Sequence, residues 1–600
     1  MRGGSLAALG MTRRERLICW LLFLFCAATR FLAMARSIWD WDEALFCLGM
    51  RAYDVTSHHP HPPGFPLYIG LAKLVRFLVH DDFRSLQAIN LAASVLVFPA
   101  VFMLARELRF RFVTAATAAT LCAFLPNVWF FGGTAFSDVP SIVLVVYAVA
   151  FFFRGCRDAN AYLVGSFLLA LAVGIRPQNF LIGLFPGALA TWHRARASWR
   201  HVIFAALIGI VTVGVAFGGA VAATGSLRGY VEAVRTHSVY IAAVDSFRSP
   251  GRPPLWRLVD RFFVKQYDEP VLSFIVTLLV VVSMVGAIRA RDRSILHIAL
   301  AFGPFAILAW LMLDRYSVSR FSIGYIPMFA LLAADGLGRL ARKRVRWEAA
   351  GGAVLVGAFF FWTLPALATV RENVAPPVLA AQLVNNALDP RRDFLFVAHD
   401  MTPFVQYFAP YVQFQNVLDE RALPLSTMGR RPWLISEVDA TKPAGGWIFR
   451  RPHNRLWNIA RRHYFDVALA PMARLPQFVS GWYAPERSNV DEWRWMSAHS
   501  VTRLPPTTAP AVLRLRFSVA TEIVPQHPMV TVMLNGVIID RISIAEEHNE
   551  KTYDVTPAAG GAPNMLELSI DRTLNPAKQH IGTDARDLGV LVWAISFGPA

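Results

Sequence analysis

The sequence has 600 residues, of which 55% are hydrophobic and only 17% are charged. A soluble chain of this length would carry roughly a quarter charged residues, so part of this one is expected to be buried in lipid. The 44 phenylalanines and 17 tryptophans exclude a disordered or fibrous protein. The net charge of +18 fits either nucleic acid or the cytoplasmic flanks of membrane helices, and the positions of the basic residues decide between them.

Apolar stretches long enough to span a membrane recur from the N-terminus to about residue 366 and then end. The eleven predicted spans lie near 17–35, 87–105, 112–131, 139–153, 161–175, 178–192, 202–222, 271–288, 295–313, 321–338 and 349–366. The segment 64–79 is shorter and carries Lys73 and Arg76, so we expect a helix that lies in the membrane interface rather than a span.

The arginine-rich short loops test this topology. If 64–79 does not span, these loops all lie on the same side as Arg13, Arg14 and Arg16, as the positive-inside rule requires. They contain Arg106, Arg109 and Arg111; Arg154 and Arg157; Arg194, Arg196 and Arg200; Arg289, Arg291 and Arg293; and Arg339 to Arg346. We therefore expect eleven spans, a cytoplasmic N-terminus, an outer C-terminus and no nucleic-acid partner. The loops 36–86 and 223–270 then face outward.

Acidic residues stand at the membrane edge directly after the first span. Asp40, Asp42 and Glu43 lie among Trp39 and Trp41. Acids in such a place are costly unless they have a function, and an aromatic environment could tune a carboxylate as a base. A solvated helix cap flanked by interfacial tryptophans explains the same pattern.

Three histidines follow in the same loop. His58, His59 and His61 precede a double proline and could hold a metal ion that Asp42 or Asp138 completes. We favour the simpler interpretation, a proline-stiffened loop whose histidines act as hydrogen-bond donors.

Polar residues also stand at other outer helix ends. Asp138 begins a later span, where it is either a helix cap or an acid facing the first loop. Arg176, Arg315 and Arg320 lie on the outer side, against the positive-inside bias. A lipid phosphate would explain them, and so would pairing with Asp314 or snorkelling of the side chains.

Four motifs carry a resemblance to a known family. They are WDWDEALF after the first span, HPPGFPLYI about twenty residues on, SDVP at the start of a later span, and RFSIGYIPMFALLAADGL near the end of the bundle. The sequence over roughly 15–365 resembles the GT-C superfamily of polytopic glycosyltransferases, which use polyprenyl- or dolichyl-phosphate sugars as donors. The closest likeness is to the protein O-mannosyltransferase, aminoarabinose lipid A transferase and RgtA-like branch.

The resemblance implies roles for the acids. Asp42 matches the loop aspartate that acts as base, Glu43 matches its acidic neighbour, and Asp138 matches the second acidic position. Some relatives bind a divalent metal with loop acids and others use none, so the resemblance leaves a cofactor open. If a metal is bound here, the expected ligands are Asp42, Asp138, His59 and His61.

The resemblance also implies residues that bind the donor. His61 falls at the basic position before the double proline, and Arg320 falls at the late basic position that faces the lipid phosphate. Arg176 has a less certain counterpart. The further candidates for this binding site are Arg315, His58 and His59.

After about residue 366 the sequence is typical of soluble domains. We predict three domains: the membrane domain 1–366, a small α/β domain 367–480, and a β-sandwich 481–600 resembling jelly-roll accessory domains of cell-envelope glycosyltransferases. The Asn535-Gly536 pair predicts a hairpin turn.

The sandwich segment is rich in aromatic residues that are able to stack on sugars. They are Trp482, Tyr483, Trp493 and Trp495. Core and edge packing is the interpretation that we favour, with glycan binding as the alternative.

The predicted fold is thus an integral membrane all-α bundle of GT-C type followed by a soluble α/β unit and a β-sandwich. The expected function is transfer of a sugar from a polyprenyl-phosphate donor to a glycan, lipid or protein acceptor at the periplasmic face of a bacterial inner membrane. A transporter or lipid-sugar flippase is the first alternative, although its polar residues would lie near the membrane midplane rather than on one face. A catalytically inactive glycan-binding protein is the second.

Overall fold

The computed structural model describes residues 11–244, 246–249, 252–267, 269–312, 318–417, 430–438, 446–452, 465–471, 476–487, 492–507 and 510–599. The chain divides into two compact units. The first consists of Met1–Ala375 with Arg451–Tyr464, and the second of Pro376–Arg450 with Phe465–Ala600. Arg315, one of the predicted binding residues, lies outside the described residues.

The described part of the first unit is helical. Its α-helices are α1 Arg13–Thr29, α2 Trp41–Arg51, α3 Pro66–Val79, α4 Asp82–Glu107, α5 Phe112–Phe124, α6 Pro126–Phe131, α7 Asp138–Gly155, α8 Ala159–Ile175, α9 Phe180–Ala197, α10 Trp199–Thr224, α11 Leu227–Val244, α12 Leu255–Val259, α13 Pro270–Ala290, α14 Arg293–Leu311, α15 Val318–Phe321, α16 Ile326–Leu340 and α17 Val345–Glu372. Short 3-10 helices cover Arg30–Ala33, Pro177–Asn179 and Ser322–Gly324, and a π-helix covers Asp260–Val264.

Among the described residues, seven helices are long and apolar enough to cross a membrane. They are Arg13–Ala33, Asp82–Glu107, Asp138–Gly155, Trp199–Thr224, Pro270–Ala290, Arg293–Leu311 and the helix that begins at Val345. The other four predicted spans coincide with α5 and α6, with α8, with α9 and with α16, which are shorter or less apolar. The protein is thus a multi-pass membrane protein, and the number of eleven crossings stays a prediction.

The predicted span 112–131 is broken into two helices. Leu125 ends α5 and adopts an extended ψ of 134°, as a residue before proline prefers, and Pro126 begins α6. The break places Asn127 and Trp129 at the end of the bundle that carries the candidate site.

The segment 223–270, expected to be a loop, contains α11 and α12 and differs from the prediction. Tyr230 on α11 packs against Val55 and Ala220. This contact with the first outer loop gives α11 a tertiary partner that its mixed sequence does not reveal.

Helix α3 forms where the interfacial helix is predicted. Tyr68, Ile69 and Ala72 are buried, whereas Phe77 and Leu78 are largely exposed. Its 14 residues span about 21 Å at 1.5 Å per residue, which is less than the roughly 30 Å hydrocarbon core. The interfacial position itself stays a prediction.

The second unit begins with a mixed α/β layer. It contains α18 Pro376–Ala387, β1 Asp393–Ala398, α19 Thr402–Phe408, β2 Phe414–Val417, β3 Arg431–Val438, β4 Trp447–Phe449 and β5 Asp466–Pro471. The strand order is β2-β1-β3-β5-β4, with β1 parallel to β2 and β3 and with β5 antiparallel to its neighbours. The predicted α/β unit is confirmed.

The rest of the second unit is a β-sandwich. Its strands are β6 Gln477–Trp482, β7 Glu486–Arg487, β8 Glu492–Leu504, β9 Ala511–Val519, β10 Met529–Leu534, β11 Val537–Ser543, β12 His548–Val555, β13 Asn564–Ile570 and β14 Val590–Pro599. They follow the order β11-β10-β13-β8-β14-β9-β12, and β8 pairs with β13 near one end and with β14 near the other. Leu515 and Phe517 of β9 share one core with Leu566 and Leu568 of β13, as in a sandwich.

Two local predictions in the sandwich can be compared directly. Asn535 and Gly536 join β10 and β11 with positive φ angles of 53° and 79°, which confirms the hairpin turn. The ring of Trp493 lies 5.4 Å from that of Trp593, and its indole donates to Glu486. Trp482 packs against the core, so packing accounts for these two aromatics.

Candidate active site

The first outer segment folds into α2, whose N-terminus is built from the acidic motif. The Asp40 side chain accepts a hydrogen bond from Asp42 N (2.9 Å), which caps the helix. Glu43 accepts from Trp39 N (2.8 Å) and Asp40 N (3.1 Å), which completes a capping box. Local sequence therefore fixes Asp42 in the first turn of α2.

Glu43 also joins this helix to a distant turn. Its Oε1 accepts from Ala135 N (2.7 Å), and the side chain is fully buried. Burial raises the pKa of Glu43 to about 7, although its three backbone hydrogen bonds favour the ionised form. Glu43, predicted as catalytic, is enclosed by backbone groups and positions its neighbours.

Asp42 faces a cation at the end of the helical run Val318–Phe321. Its Oδ2 lies 2.7 Å from Arg320 Nη2, and Asp40 Oδ1 lies 3.8 Å from Arg320 Nη1. The Arg320 guanidinium stacks over Phe136 at 4.6 Å. Asp42 is about one-fifth exposed, whereas Arg320 is almost buried. The predicted base and the predicted phosphate-binding arginine are thus in direct contact.

Asp138 and Arg176 form a second ion pair. Arg176 Nη1 lies 2.6 Å from Asp138 Oδ2 and donates to Ser137 Oγ (3.0 Å). The guanidinium also lies over the ring of Phe65 at 5.3 Å. The pair is buried beside a small cavity that Asn179 also lines. Since a lone buried charge is costly, each member of this pair stabilises the other.

His61 lies between these ion pairs and aromatic rings. Its Nδ1 is 3.6 Å from Asp42 Oδ1, and its ring is 5.9 Å from that of Phe46 and 5.7 Å from that of His237 on α11. Burial lowers the pKa of His61 to about 4, against the opposing effect of Asp42. His61 is therefore neutral at neutral pH, and the positive charge of the site comes from arginine.

The other two loop histidines lie farther out. The His58 ring contacts His237 at 5.6 Å and is exposed to solvent. His59 pairs through its backbone with Asp54 in a short bridge. Tyr230 of α11 donates to Pro63 O (2.7 Å), so α11 also holds this loop from outside.

The predicted metal ligands do not form a metal site. Within the described part of the chain, no three His, Cys, Asp or Glu side chains lie together so as to hold an ion. Asp42 and Asp138 each pair with an arginine instead, and His59 makes its bridge with Asp54. These residues do not fit a bound divalent ion, and no step below depends on one.

Two polar residues that the sequence analysis did not single out hold the turn that carries Asp138. Gln87 donates to the carbonyl oxygens of Ala35 (2.9 Å) and Gly133 (2.7 Å). Asn90 donates to those of Phe131 (2.5 Å) and Thr134 (2.8 Å). Two amides three residues apart on the otherwise apolar helix α4 were a signal for this role.

Comparisons with known proteins address the fold. No protein-family model matches the sequence, and no curated protein matches it significantly. The crystal structure of ArnT from Cupriavidus metallidurans bound to undecaprenyl phosphate is similar, with 11% identity, a TM-score of 0.50, and coverage of 76% of this chain and 98% of ArnT. The Archaeoglobus fulgidus oligosaccharyltransferase in complex with Zn and sulfate has 10% identity and a TM-score of 0.44 over 96% of this chain and 97% of that one. Arabinofuranosyltransferase AftD from Mycobacteria has 10% identity and a TM-score of 0.44 over 98% of this chain and 59% of that one.

The likeness to ArnT concerns the fold, since the identity is low. It confirms the fold expected from the sequence motifs, a helical membrane part followed by a C-terminal part with β-sheets.

Proposed function

We propose that this protein is a membrane glycosyltransferase that moves a sugar from a polyprenyl-phosphate donor to an acceptor hydroxyl. The observation that carries the proposal is the 2.7 Å contact between Asp42 and Arg320 at the partly exposed N-terminus of α2. A carboxylate that is able to act as a base, next to a cation that suits a phosphate, supports the proposal. The fold shared with ArnT, whose crystal structure contains undecaprenyl phosphate, supports this donor class.

Donor binding would rearrange the ion pair. Arg320 is occupied by Asp42 in this structure, and a phosphate oxygen would compete for the same guanidinium donors. Once Arg320 turns to the phosphate, the Asp42 carboxylate becomes free to accept a proton. His61 would act as a neutral hydrogen-bond donor beside them. Arg176 would add little positive potential, because Asp138 already neutralises most of its charge.

The proposed reaction is a single displacement. The acceptor oxygen forms a bond to the anomeric carbon while the bond from that carbon to the phosphate oxygen breaks. The departing polyprenyl phosphate takes the electron pair and is stabilised by Arg320. The acceptor proton passes to Asp42, which acts as general base. Attack opposite the leaving group inverts the anomeric centre.

The proposed location follows from the arginine-rich loops. With a cytoplasmic N-terminus, the site would face the periplasm of a bacterial inner membrane, and the second unit would lie on the same side. The acceptor would be a hydroxyl of a glycan, a lipid or a protein.

The test uses the full-length protein in lipid vesicles with labelled undecaprenyl-phosphate sugars. We expect Asp42→Asn to lower turnover by about 10²–10⁴-fold, which is the usual contribution of a general base, and Arg320→Ala to weaken binding of undecaprenyl phosphate. Asp54→Asn is the matched control, because Asp54 lies in the same loop and, among the described residues, bonds only to the side chains of Thr56 and Ser57 and to local backbone.

Two outcomes would contradict the proposal. Wild-type turnover by the Asp42→Asn protein would reject Asp42 as the base. Movement of the labelled lipid across sealed vesicles without sugar transfer would favour the flippase alternative.

A further inference from the structure

A second polar group lies next to the candidate active site and has no part in the displacement described above. Gln266 and Tyr267 precede α13 and are buried, with exposures of 2% and 0%. Among the described residues, neither amide atom of Gln266 nor the hydroxyl of Tyr267 has a hydrogen-bond partner. Because buried polar atoms are nearly always paired, three such atoms on adjacent residues indicate a missing partner.

Hydrogen bonds tie this group to the segment that carries Arg320. Asn127 Nδ2 donates to Ser322 Oγ (2.6 Å), two residues after Arg320, and approaches the backbone oxygen of Gln266 at 3.5 Å. Tyr325 N donates to Ser322 O (2.9 Å), and the Tyr325 hydroxyl is also buried without a hydrogen-bond partner among the described residues. Asn127 therefore links the backbone of Gln266 to the segment that carries the arginine proposed to hold the donor phosphate.

The surroundings of the group define the chemistry of its missing partner. The ring of Phe359 lies 5.0 Å from that of Tyr267, and the ring of Trp310 lies 5.9 Å from that of Tyr325. The polar atoms themselves are amide and hydroxyl groups, which both donate and accept without carrying charge. Aromatic walls with a few neutral polar groups suit a neutral ligand that is rich in hydroxyls.

We propose that Gln266, Tyr267 and Tyr325 form a subsite that binds the hydroxyl groups of the donor sugar while Arg320 holds the phosphate to which that sugar is attached. This inference rests on the proposed function, and it identifies the residues that bind the sugar moiety of the same donor.

The test separates sugar binding from folding. Tyr267→Phe removes one hydroxyl that has no partner among the described residues, and Gln266→Leu removes two atoms that are likewise unpaired there, at similar volume. Neither change loses a protein hydrogen bond, so we expect an unchanged or higher Tm. We expect kcat/KM for the sugar donor to fall by about ten- to hundredfold, because the sugar hydroxyls then lose their partners. Binding of sugar-free undecaprenyl phosphate should stay at the wild-type level.

Tyr162→Phe is the matched control. The Tyr162 hydroxyl is hydrogen-bonded to Thr191 Oγ1 (2.9 Å) within the helical bundle. We expect this variant to lose some thermal stability and to keep full sugar transfer, which is the opposite of the result for Tyr267→Phe.

Binding of lipid with and without sugar gives a measure that does not depend on turnover. The inference predicts that the wild type binds undecaprenyl-phosphate hexose or pentose more tightly than undecaprenyl phosphate, and that the Gln266 and Tyr267 variants lose this preference. Equal affinities in the wild type, or wild-type kcat/KM in both variants, would overturn it. A lower Tm with a proportional loss of transfer would overturn it too, since the group would then bind only structural water. A retained preference without sugar transfer would instead refute the proposed function.

Discussion

Glu43 and His61 make opposite contributions to the pH dependence of the stability of the folded protein. A variant that lacks one of the two side chains should therefore show the pH dependence caused by the other. The folded protein raises the pKa of Glu43 from 4.5 to about 7 and lowers that of His61 from 6.5 to about 4. Burial is the main cause in both cases, because it disfavours the charged form of each side chain.

The size of each contribution to stability follows from the linkage between proton binding and folding. For Glu43 the folded state holds the proton more tightly, so its contribution is fully present below pH 4.5 and is lost as the pH rises to about 7. For His61 the folded state holds the proton less tightly, so its contribution is present above pH 6.5 and is lost as the pH falls towards 4. Each shift of 2.5 pKa units, from 4.5 to 7 and from 6.5 to 4, corresponds to about 3 kcal/mol. Between pH 4.5 and 6.5 the two contributions nearly cancel in the wild type.

The assay is the apparent Tm of the purified protein in one detergent, at one scan rate, from pH 4.5 to 8. We expect Glu43→Gln to become more stable as the pH rises to 6.5, because only the His61 contribution remains. His61→Gln should become less stable over the same interval, because only the Glu43 contribution remains. The result to compare is the sign of the slope of Tm against pH. The absolute Tm values are less useful, because both variants also change packing. Parallel slopes in the two variants would refute the assignment of these pKa shifts.

Three further predictions concern side chains around the site and in the sandwich. Asp138→Asn should cost about 3–5 kcal/mol of stability, because it leaves Arg176 buried without its carboxylate, and Arg176→Gln in the same chain should recover most of the lost Tm. Gln87→Leu and Asn90→Leu should each cost about 1–3 kcal/mol and lower sugar transfer, because each removes two hydrogen bonds to backbone carbonyls; normal Tm and transfer would show that the turn does not need them. Trp493→Ala should cost about 3 kcal/mol from lost packing with unchanged kcat/KM, whereas a raised KM for a glycan acceptor at normal Tm would favour the sugar-stacking alternative.

Features set by nearby residues could be predicted from the sequence. The turn at Asn535-Gly536 and the capping of α2 by Asp40 depend on side chains within a few positions. The membrane helices followed from hydropathy, because length and apolar composition suffice to identify them. The break at Pro126 was also visible in the sequence, yet the continuous apolar stretch around it led to the prediction of one span.

Features that depend on distant contacts could not be predicted from the residues alone. Glu43 accepts a hydrogen bond from Ala135, 92 positions away, and the residues alone did not reveal this connection. Its catalytic role stays a prediction. The resemblance assigned Asp42 and Arg320 separate roles, and their direct pairing could not be predicted, since periodicity carries no information on a contact across 278 residues. Helix α11 looked like a loop because its stability comes from packing on the first outer loop.

The buried Glu43 side chain explains how a site assembled from distant segments keeps its geometry. The Glu43 carboxylate accepts backbone N–H groups from Trp39 and Asp40, in the segment that leads to Asp42. It also accepts the N–H of Ala135, in the turn that leads to Asp138. A substitution that removes the carboxylate oxygen bound to Ala135 N would release the turn, while the other oxygen would still cap α2. Because a misplacement of about 1 Å can cost roughly a hundredfold in rate, Glu43→Gln should lower sugar transfer although the Glu43 side chain is fully buried. Arg320-dependent binding of undecaprenyl phosphate should persist in that variant, and its loss would mean that Glu43 also shapes the phosphate site.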